Sequence, residues 1–273
     1  MSSLAVNYKV NSLALRKVVS MDIQGRTAVV TGGGSGLGKA TVRALARSGA
    51  RIAVLDRDGT AAKRVAREVD GDLYPFEVDV ANEESVESVA ESISAELGAV
   101  HVCVNAAGVS TPGKVVSNGQ PLPLENFRKV IETNLIGLFD IVRRVSSWMV
   151  DNEPADDGER GVVINVSSGA AWQGQKGQAA YGASKAGVIG MMLPLARDVA
   201  QHGIRVMTIA PGVFQTGMAA DIPDKVIRGL EQAVLYPNRL GAPEEFAELV
   251  SHIIGNRYLN ATTLSLDAGA RMV

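Results

Sequence analysis

The chain has one cysteine, Cys103, and three histidines, His101, His202 and His252. A single cysteine cannot form an internal disulfide, and it excludes a metal site built from several thiolates. The histidines are scattered without the short spacing of metal ligands, so no metal is expected. Cys103 lies in an apolar run, which indicates a core residue rather than a reactive thiol.

Long apolar runs and a strong net charge are also missing. No run approaches the ~18 consecutive apolar residues of a membrane span, and the formal net charge is only −2 with no long basic run. We therefore expect neither a membrane span nor a nucleic-acid partner. Hydrophobic residues make up 46% of the chain and charged residues 21%, which is typical of a globular protein with a sizeable core.

Residues 1–20 form a separate segment that contains no acidic residue. The segment faintly resembles a mitochondrial transit peptide, but it lacks the apolar core of a secretory signal. We favour an N-terminal arm that is disordered or contacts another subunit, or a functional start at Met21. The cytoplasm is then the default location, and the mitochondrion is the alternative if the source is eukaryotic.

From residue 26 onward, short apolar runs alternate with helical patterns. The pattern predicts an α/β fold: a Rossmann-like doubly wound parallel sheet of about seven strands with helices on both faces, in one domain over residues 21–273. Strands are predicted at Thr27–Thr31, Arg51–Leu55, Leu73–Val78, Val100–Asn105, Gly161–Val166, Ile204–Ile209 and Thr263–Leu266. Helices are predicted to begin near Gly36, Thr60, Asn82, Leu124, Tyr181 and Pro243.

A glycine-rich turn follows the first predicted strand. Gly32, Gly36 and Gly38 give the spacing G-x-x-x-G-x-G, with Ser35 and Leu37 among them, and the strict G-x-G-x-x-G spacing is not met. Glycines let the backbone turn sharply and approach a pyrophosphate, whose charge is favoured by the free amides at a helix N-terminus. A turn that serves packing only is the alternative.

Asp56 ends the second predicted strand, twenty residues after Gly36. An acidic residue there can accept hydrogen bonds from the ribose hydroxyls of adenosine and would repel a 2′-phosphate, which favours NAD over NADP. Arg57 follows immediately and could partly neutralise this effect. A simple helix cap is the other interpretation of Asp56.

More polar and glycine clusters lie where predicted strands end: Asp79-Val80, Asn105 to Gly108, Asn165 to Gly169, and Ala210 to Thr216. The carboxyl edge of an open α/β sheet is where a ligand crevice forms, so this convergence argues against purely structural roles. Asp79 could bind the adenine amino group. Asn134 lies in an apolar helical run, where an amide is either functional or a hydrogen-bonded core residue.

Tyr181 and Lys185 are four residues apart in a predicted helix, so their side chains share one face. Neither group is a useful acid or base at neutral pH on its own, since both ordinary pKa values lie near ~10. A neighbouring cation favours the phenolate, so Lys185 is expected to lower the pKa of Tyr181. The same helix contains Gly182, Gly187 and Gly190, which suit close approach to a cofactor and to another helix.

Together these motifs resemble the short-chain dehydrogenase/reductase family from Asp22 to the end of the chain. Ser168 lies thirteen residues before Tyr181, which is the family's spacing. The resemblance implies that the catalytic residues are Asn134, Ser168, Tyr181 and Lys185, with Asn134 holding a water beside Lys185. It implies substrate contacts at Ser168, Gln175, Gln178 and Tyr181. It implies cofactor contacts at Gly32, Ser35, Gly36, Leu37, Gly38, Asp56, Asp79, Val80, Asn105, Ala106, Gly108, Tyr181, Lys185, Pro211, Gly212, Val213, Phe214 and Thr216.

Finer similarities lie at residues 174–181 and 203–212, in the polar loop Ser110–Pro123 and in the segment Asp151–Arg160. These stretches resemble the branch of the family that acts on 3-hydroxyacyl-CoA and 17β-hydroxysteroid substrates. The resemblance implies an NAD-dependent oxidoreductase that interconverts a secondary alcohol and a ketone, in a homotetramer. The Met218–Asp224 segment, with a proline and mixed apolar residues beside the site, is a candidate lid. An NADP-dependent ketoreductase and a catalytically silent cofactor-binding protein are the alternatives.

Overall fold

A computed structural model of the chain describes residues 21–217 and 229–271. The strands are β1 (Thr27–Thr31), β2 (Arg51–Asp56), β3 (Asp72–Glu77), β4 (Val100–Asn105), β5 (Val116–Ser117), β6 (Gln120–Pro121), β7 (Gly161–Val166), β8 (Ile204–Pro211) and β9 (Thr263–Leu266). Within these residues, seven strands form one parallel sheet in the order β3-β2-β1-β4-β7-β8-β9. The strand order reverses direction between β1 and β4, which creates a crevice at their carboxyl ends.

Helices cover both faces of the sheet. They are α1 (Gly36–Arg47), α2 (Gly59–Glu68), α3 (Glu83–Leu97), α4 (Leu124–Ile131), α5 (Leu138–Val150), α6 (Ala170–Gln173), α7 (Ala179–Val199) and α8 (Pro243–Gly255). One core lies between the sheet and α1, α2 and α8, and the other lies between the sheet and α3, α5 and α7. The predicted doubly wound α/β fold is confirmed.

Strand positions agree closely with the sequence pattern, because strands buried on both faces are apolar along their whole length. β1, β4, β7 and β9 have their predicted bounds. β3 lies one residue earlier than predicted, and β8 extends to Pro211. α2 begins at Gly59 because the Asp58 side chain accepts hydrogen bonds from the next backbone amides and caps the helix.

Four local features differ from the prediction. β5 and β6 form a small antiparallel hairpin within the polar loop, α6 is a single turn after β7, and α7 begins at Ala179 rather than at Tyr181. A π-helical segment, Glu132–Gly137, joins α4 to α5. Its wider turn shows no distinct periodicity in a sequence, since one extra residue barely changes the apolar pattern.

Two predictions concern residues outside the described ranges. The expected N-terminal arm over residues 1–20 and the expected lid over Met218–Asp224 both lie there. Among the described residues, no helix is long and apolar enough to cross a membrane.

Candidate active site

A cavity of about 740 Å³ opens at the carboxyl ends of the central strands. Its walls come from the loops that follow β1, β2, β3, β4, β7 and β8, together with the first turns of α1 and α7. These predicted residues line it: Gly32, Ser35, Gly36, Leu37, Gly38, Asp56, Asp79, Val80, Ala106, Gly108, Ser168, Gln178, Tyr181, Lys185, Pro211, Gly212, Val213, Phe214 and Thr216. The structure therefore brings together positions that lie up to 184 residues apart, from Gly32 to Thr216.

The glycine-rich turn needs its glycines for packing. A Cβ atom on Gly32 would lie 2.8 Å from the Ala107 nitrogen, and one on Gly38 would lie only 2.1 Å from the Gly32 carbonyl oxygen. Ser35 caps α1 without a side-chain hydrogen bond, and the first turn of α1 contains no acidic residue. The free amides of this turn therefore face the cavity in a setting that favours an anion such as a pyrophosphate.

Asp56 supports the glycine turn from the end of β2. Its Oδ2 atom accepts a hydrogen bond from the Gly34 amide at 2.9 Å, and its Oδ1 atom accepts one from the Asp58 amide at 3.0 Å. The carboxylate lines the cavity as well, so the interpretations as a cap and as a ribose contact are compatible. Arg57 is exposed beside it on the same wall.

Three predicted site residues do not line the cavity: Asn105, Asn134 and Gln175. Asn105 is almost fully buried, and its Nδ2 donates to Asn165 Oδ1 at 2.9 Å. Asn105 and Asn165 occupy one register position of the sheet, and Asn105 Oδ1 lies 3.7 Å from the Sγ atom of the core residue Cys103. The Asn105 side chain is thus used within the sheet, and the predicted cofactor contact at this position stays a prediction. The strand pattern located its position but not the face to which it points.

Asn134 lies in the π segment with no exposed surface. Its Oδ1 accepts from the Val109 amide at 2.8 Å, while its Nδ2 donates to the Val109 carbonyl at 2.9 Å and to Ser184 Oγ at 3.1 Å. Both donor hydrogens are thus used by protein groups. Asn134 therefore holds the backbone of Val109, which lies on the cavity wall.

Lys185 is buried, and its Nζ donates to the Val166 carbonyl at 2.8 Å. Burial lowers the pKa of Lys185 to about 8. The ammonium is therefore still largely protonated at neutral pH, and it lies 5.7 Å from the centre of the Tyr181 ring. This places a positive charge at the bottom of the cavity.

Burial raises the pKa of the Tyr181 phenol above its ordinary value, and a hydrogen bond with the Ser168 side chain opposes this shift. In the protein without cofactor the pKa of Tyr181 is therefore raised rather than lowered, because loss of solvent outweighs the hydrogen bond with Ser168. The expected effect of Lys185 on the phenolate stays a prediction.

The loop before α7 supplies one further polar group. Gln178 lines the cavity, and its Oε1 accepts a hydrogen bond from the Gln175 amide at 2.9 Å. Gln175 therefore contributes its backbone to this contact and lies behind the wall. Four further residues of the cavity wall were not predicted from the sequence: Val109, Ser110, Thr133 and Ala170. The sequence marks them only by position, since they follow strand ends or lie next to Asn134.

Comparison with known proteins agrees with this geometry. The sequence profile of the short chain dehydrogenases matches residues 26–226. The chain belongs to the short-chain dehydrogenase/reductase family. It is 43% identical to the human 3-hydroxyacyl-CoA dehydrogenase type-2 over 252 residues, which cover 92% of this chain and 97% of the relative. It is 32% identical to a 3-oxoacyl-(acyl-carrier-protein) reductase of Vibrio cholerae, over 93% of this chain and all of the relative.

A solved structure shows the same fold. The 3-hydroxyacyl-CoA dehydrogenase type-2 of Mycobacterium avium is 34% identical and superimposes with a TM-score of 0.87, covering 93% of this chain and 98% of that chain. The protein is therefore an oxidoreductase of this family that is closely related to 3-hydroxyacyl-CoA dehydrogenases. Members of the family use a nicotinamide cofactor, and the glycine turn, the free N-terminus of α1 and the cavity volume fit one. Among the described residues, no cluster of side chains could hold a metal ion.

Proposed function

We propose that the protein is an NAD-dependent dehydrogenase that interconverts a secondary alcohol and a ketone, with a 3-hydroxyacyl-CoA or a hydroxysteroid as substrate. One observation carries the proposal. Ser168, Tyr181 and Lys185 lie in the same cavity as the glycine turn and Asp56, so an acid–base group and a dinucleotide site share one chamber. The names of the relatives support the first substrate class.

Tyr181 is the proton donor and acceptor in this proposal. In ketone reduction its Oη gives a proton to the carbonyl oxygen, and in alcohol oxidation it takes the hydroxyl proton. The raised pKa of the phenol keeps the proton that ketone reduction needs. In alcohol oxidation the acceptor is the phenolate, which the nearby Lys185 ammonium favours. A bound nicotinamide supplies or accepts the hydride.

Ser168 and Lys185 assist from opposite sides. The Ser168 hydroxyl shares a hydrogen bond with Tyr181 and can donate to the substrate oxygen, where charge develops in the transition state. The Lys185 ammonium stabilises negative charge at Tyr181 and reaches the part of the cavity next to Gly108. Asn134 acts here through the Val109 backbone, which it holds in place.

The preference for NAD rests on the Asp56 carboxylate at the adenosine end of the cavity. Asp56→Asn removes the charge that repels a 2′-phosphate, whereas Arg57→Ala removes a cation that could attract one. We expect Asp56→Asn to raise the ratio of kcat/KM for NADP to that for NAD by roughly tenfold or more, because a hydrogen bond to a charged group contributes about 1.5–3 kcal/mol. Arg57→Ala is expected to lower the same ratio.

Initial rates with both cofactors at several concentrations measure this ratio. Part of any loss of activity with NAD will come from weakening the hydrogen bond between the Gly34 amide and residue 56. The ratio of the two kcat/KM values is therefore more informative than either value alone. An unchanged ratio in Asp56→Asn would mean that the carboxylate does not select the cofactor, and the NADP-dependent alternative would then be favoured.

Exposed apolar side chains lie in two segments that follow cavity-wall residues along the chain. Val115 and Val116 follow the wall residue Ser110 and are 68% and 60% exposed, and Trp172 follows Ala170 and is 55% exposed. Such a surface suits a substrate with a long apolar group. An NAD reduction assay with short, branched and long 3-hydroxyacyl-CoA esters and with steroid alcohols would identify the class. Absence of turnover with every member would favour a silent binding protein.

We also propose that the chain forms a homotetramer. Ile136, Phe139 and Leu193 are 49%, 45% and 39% exposed on the π segment, α5 and α7. A Cβ on Gly187 would lie 2.9 Å from the Leu135 side chain of the same chain, while one on Gly190 would meet no atom within 4 Å. The open face around Gly190 is available to another subunit.

Phe139→Glu is therefore expected to shift the molar mass from that of a tetramer toward a smaller species in light scattering at micromolar concentration. A buried carboxylate in an apolar interface is unfavourable by several kcal/mol. Val116→Glu places the same charge on another exposed apolar site and serves as the control. A wild-type monomer at this concentration would count against the proposal.

A further inference from the structure

Two serines outside the predicted catalytic set make hydrogen bonds to the backbone of the Tyr181–Lys185 turn. Ser184 is fully buried, and its Oγ donates to the Tyr181 carbonyl at 2.8 Å. Ser167 is 2% exposed, and its Oγ donates to the Lys185 carbonyl at 2.8 Å. Each of the two central residues of the site thus has its own buried serine.

The Ser167 contact fixes Lys185 against the end of β7. The Lys185 carbonyl accepts a hydrogen bond from the Ser167 hydroxyl. The Lys185 Nζ donates to the carbonyl of Val166, the residue before Ser167, at 2.8 Å. Two adjacent residues therefore hold the backbone and the ammonium of the same lysine. The side chain of Lys185 has three free rotatable bonds beyond its Cβ, so this double attachment restricts where its charge can lie.

The Ser184 contact fixes Tyr181 against the opposite wall. Ser184 Oγ accepts a hydrogen bond from Asn134 Nδ2 at 3.1 Å, and Asn134 in turn pairs with both backbone groups of Val109. A continuous chain of hydrogen bonds therefore runs from the cavity wall at Val109 through Asn134 and Ser184 to the Tyr181 carbonyl. Buried chains of this kind hold their members in one arrangement because every broken link leaves an unpaired polar atom.

The stability of the helix does not explain why these two positions hold serine. Alanine has a higher helix propensity than serine, and a serine hydroxyl bonded to a carbonyl of its own helix bends the helix slightly. Ser146 in α5 offers a contrast, because it is also buried and helical but its Oγ has no hydrogen-bond partner among the described residues. A buried hydroxyl that links two functional residues is therefore a specific feature of this site.

We propose that Ser167 and Ser184 are positioning residues that hold Lys185 and Tyr181 at the separation required for proton transfer. The proposal rests on the proposed function, since it assigns these two hydroxyls to the chemistry of that site. Neither serine acts on the substrate itself, because the Oγ atoms are turned toward backbone carbonyls.

The test compares Ser167→Ala and Ser184→Ala with Ser146→Ala in the full-length protein. In the first two variants we expect kcat to fall roughly tenfold while KM for NAD changes by less than about twofold, since a small misplacement of reacting groups is costly and the cofactor contacts are unchanged. The pH at which kcat reaches half of its plateau should also shift. Ser146→Ala should leave kcat and the pH profile unchanged.

A second readout needs no turnover. Burial holds the pKa of Lys185 at about 8 in the folded protein, and NMR titration of labelled lysine side chains measures it without cofactor. Ser167→Ala should move this pKa toward the ordinary lysine value, because a looser Lys185 gains contact with water. Ser146→Ala should leave it unchanged.

The outcomes separate the two proposals. Unchanged kcat, pH profile and Lys185 titration in both serine variants would overturn the positioning role, whatever happens to their thermal stability. A wild-type protein without turnover on the alcohol panel would refute the proposed function, and the Lys185 titration would still decide whether Ser167 holds that side chain.

Discussion

Tyr181→Phe is expected to lower turnover by about 10³-fold or more while cofactor affinity stays within about twofold of wild type. General acid–base catalysis contributes on the order of 10²–10⁴-fold, and Tyr181 is the proposed proton donor and acceptor. The substitution removes only the Oη atom and its hydrogen bond with Ser168. The aromatic ring near Lys185 is retained, so the cavity keeps its shape.

Binding of NADH, followed by its fluorescence, separates loss of chemistry from loss of the site. Tyr74→Phe is the matched control, because it deletes the same atom from a tyrosine of β3 whose hydroxyl accepts only a long hydrogen bond from Arg51 at 3.4 Å. Tyr74→Phe should retain full turnover. If Tyr181→Phe retained it too, Tyr181 would have no part in proton transfer.

Arg205→Met is expected to have the largest effect on stability, with a loss of about 3–5 kcal/mol in the free energy of unfolding. Arg205 is 6% exposed and pairs with the buried Glu159 at 2.6 Å. Its guanidinium also donates to the carbonyls of Ile253, Ile254 and Leu259 at 2.8, 3.0 and 2.9 Å. Methionine leaves the last carbonyls of α8 and a buried carboxylate without these partners.

Urea denaturation of wild type and variant measures the change. Arg51→Met is the matched control, since Arg51 holds the last carbonyls of α3 in the same manner at the start of β2 but pairs with the exposed Asp72. An exposed ion pair contributes less than about 1 kcal/mol, so the control should lose much less stability. Equal losses would mean that burial of the Arg205–Glu159 pair is not what matters.

Arg205→Met should leave the kinetics of the remaining folded protein unchanged. Arg205 lies near the start of β8, whereas Pro211 at the end of the same strand lines the cavity. The two sites are therefore at opposite edges of the sheet. A changed kcat under conditions in which the variant is fully folded would show that the Arg205 site and the cavity are coupled.

Much of the fold could be predicted because its signals are local. Buried parallel strands are continuous apolar runs, and the chain bears polar or glycine clusters where such runs end, as at Asp56 and Pro211. The helix starts that were predicted lie within two residues of the observed ones, and capping residues such as Asp58 and Asn82 act locally on the next few amides. The starts of α5 and α6 were not predicted. The family resemblance covered nearly the whole chain, and the comparisons confirm it.

Other features depend on contacts between distant residues. Asn105 meets Asn165 across two strands, and its side chain is buried and does not line the cavity. The π segment that contains Asn134 could not be read from periodicity. The sign of the pKa shift at Tyr181 depends on how much solvent the surrounding elements exclude.

The sequence by itself determined the order of strands and helices along the chain, the glycine turn and the candidate catalytic pair Tyr181 and Lys185, because helical spacing and strand ends are properties of neighbouring residues. Only the tertiary structure decided which face each side chain occupies and how strongly each is buried. Tyr181 and Lys185 are paired by their spacing, but their separation, hydrogen bonds and pKa values arise from β7, the π segment and the loop at Val109. These contacts join residues far apart in the chain, so no local pattern encodes them.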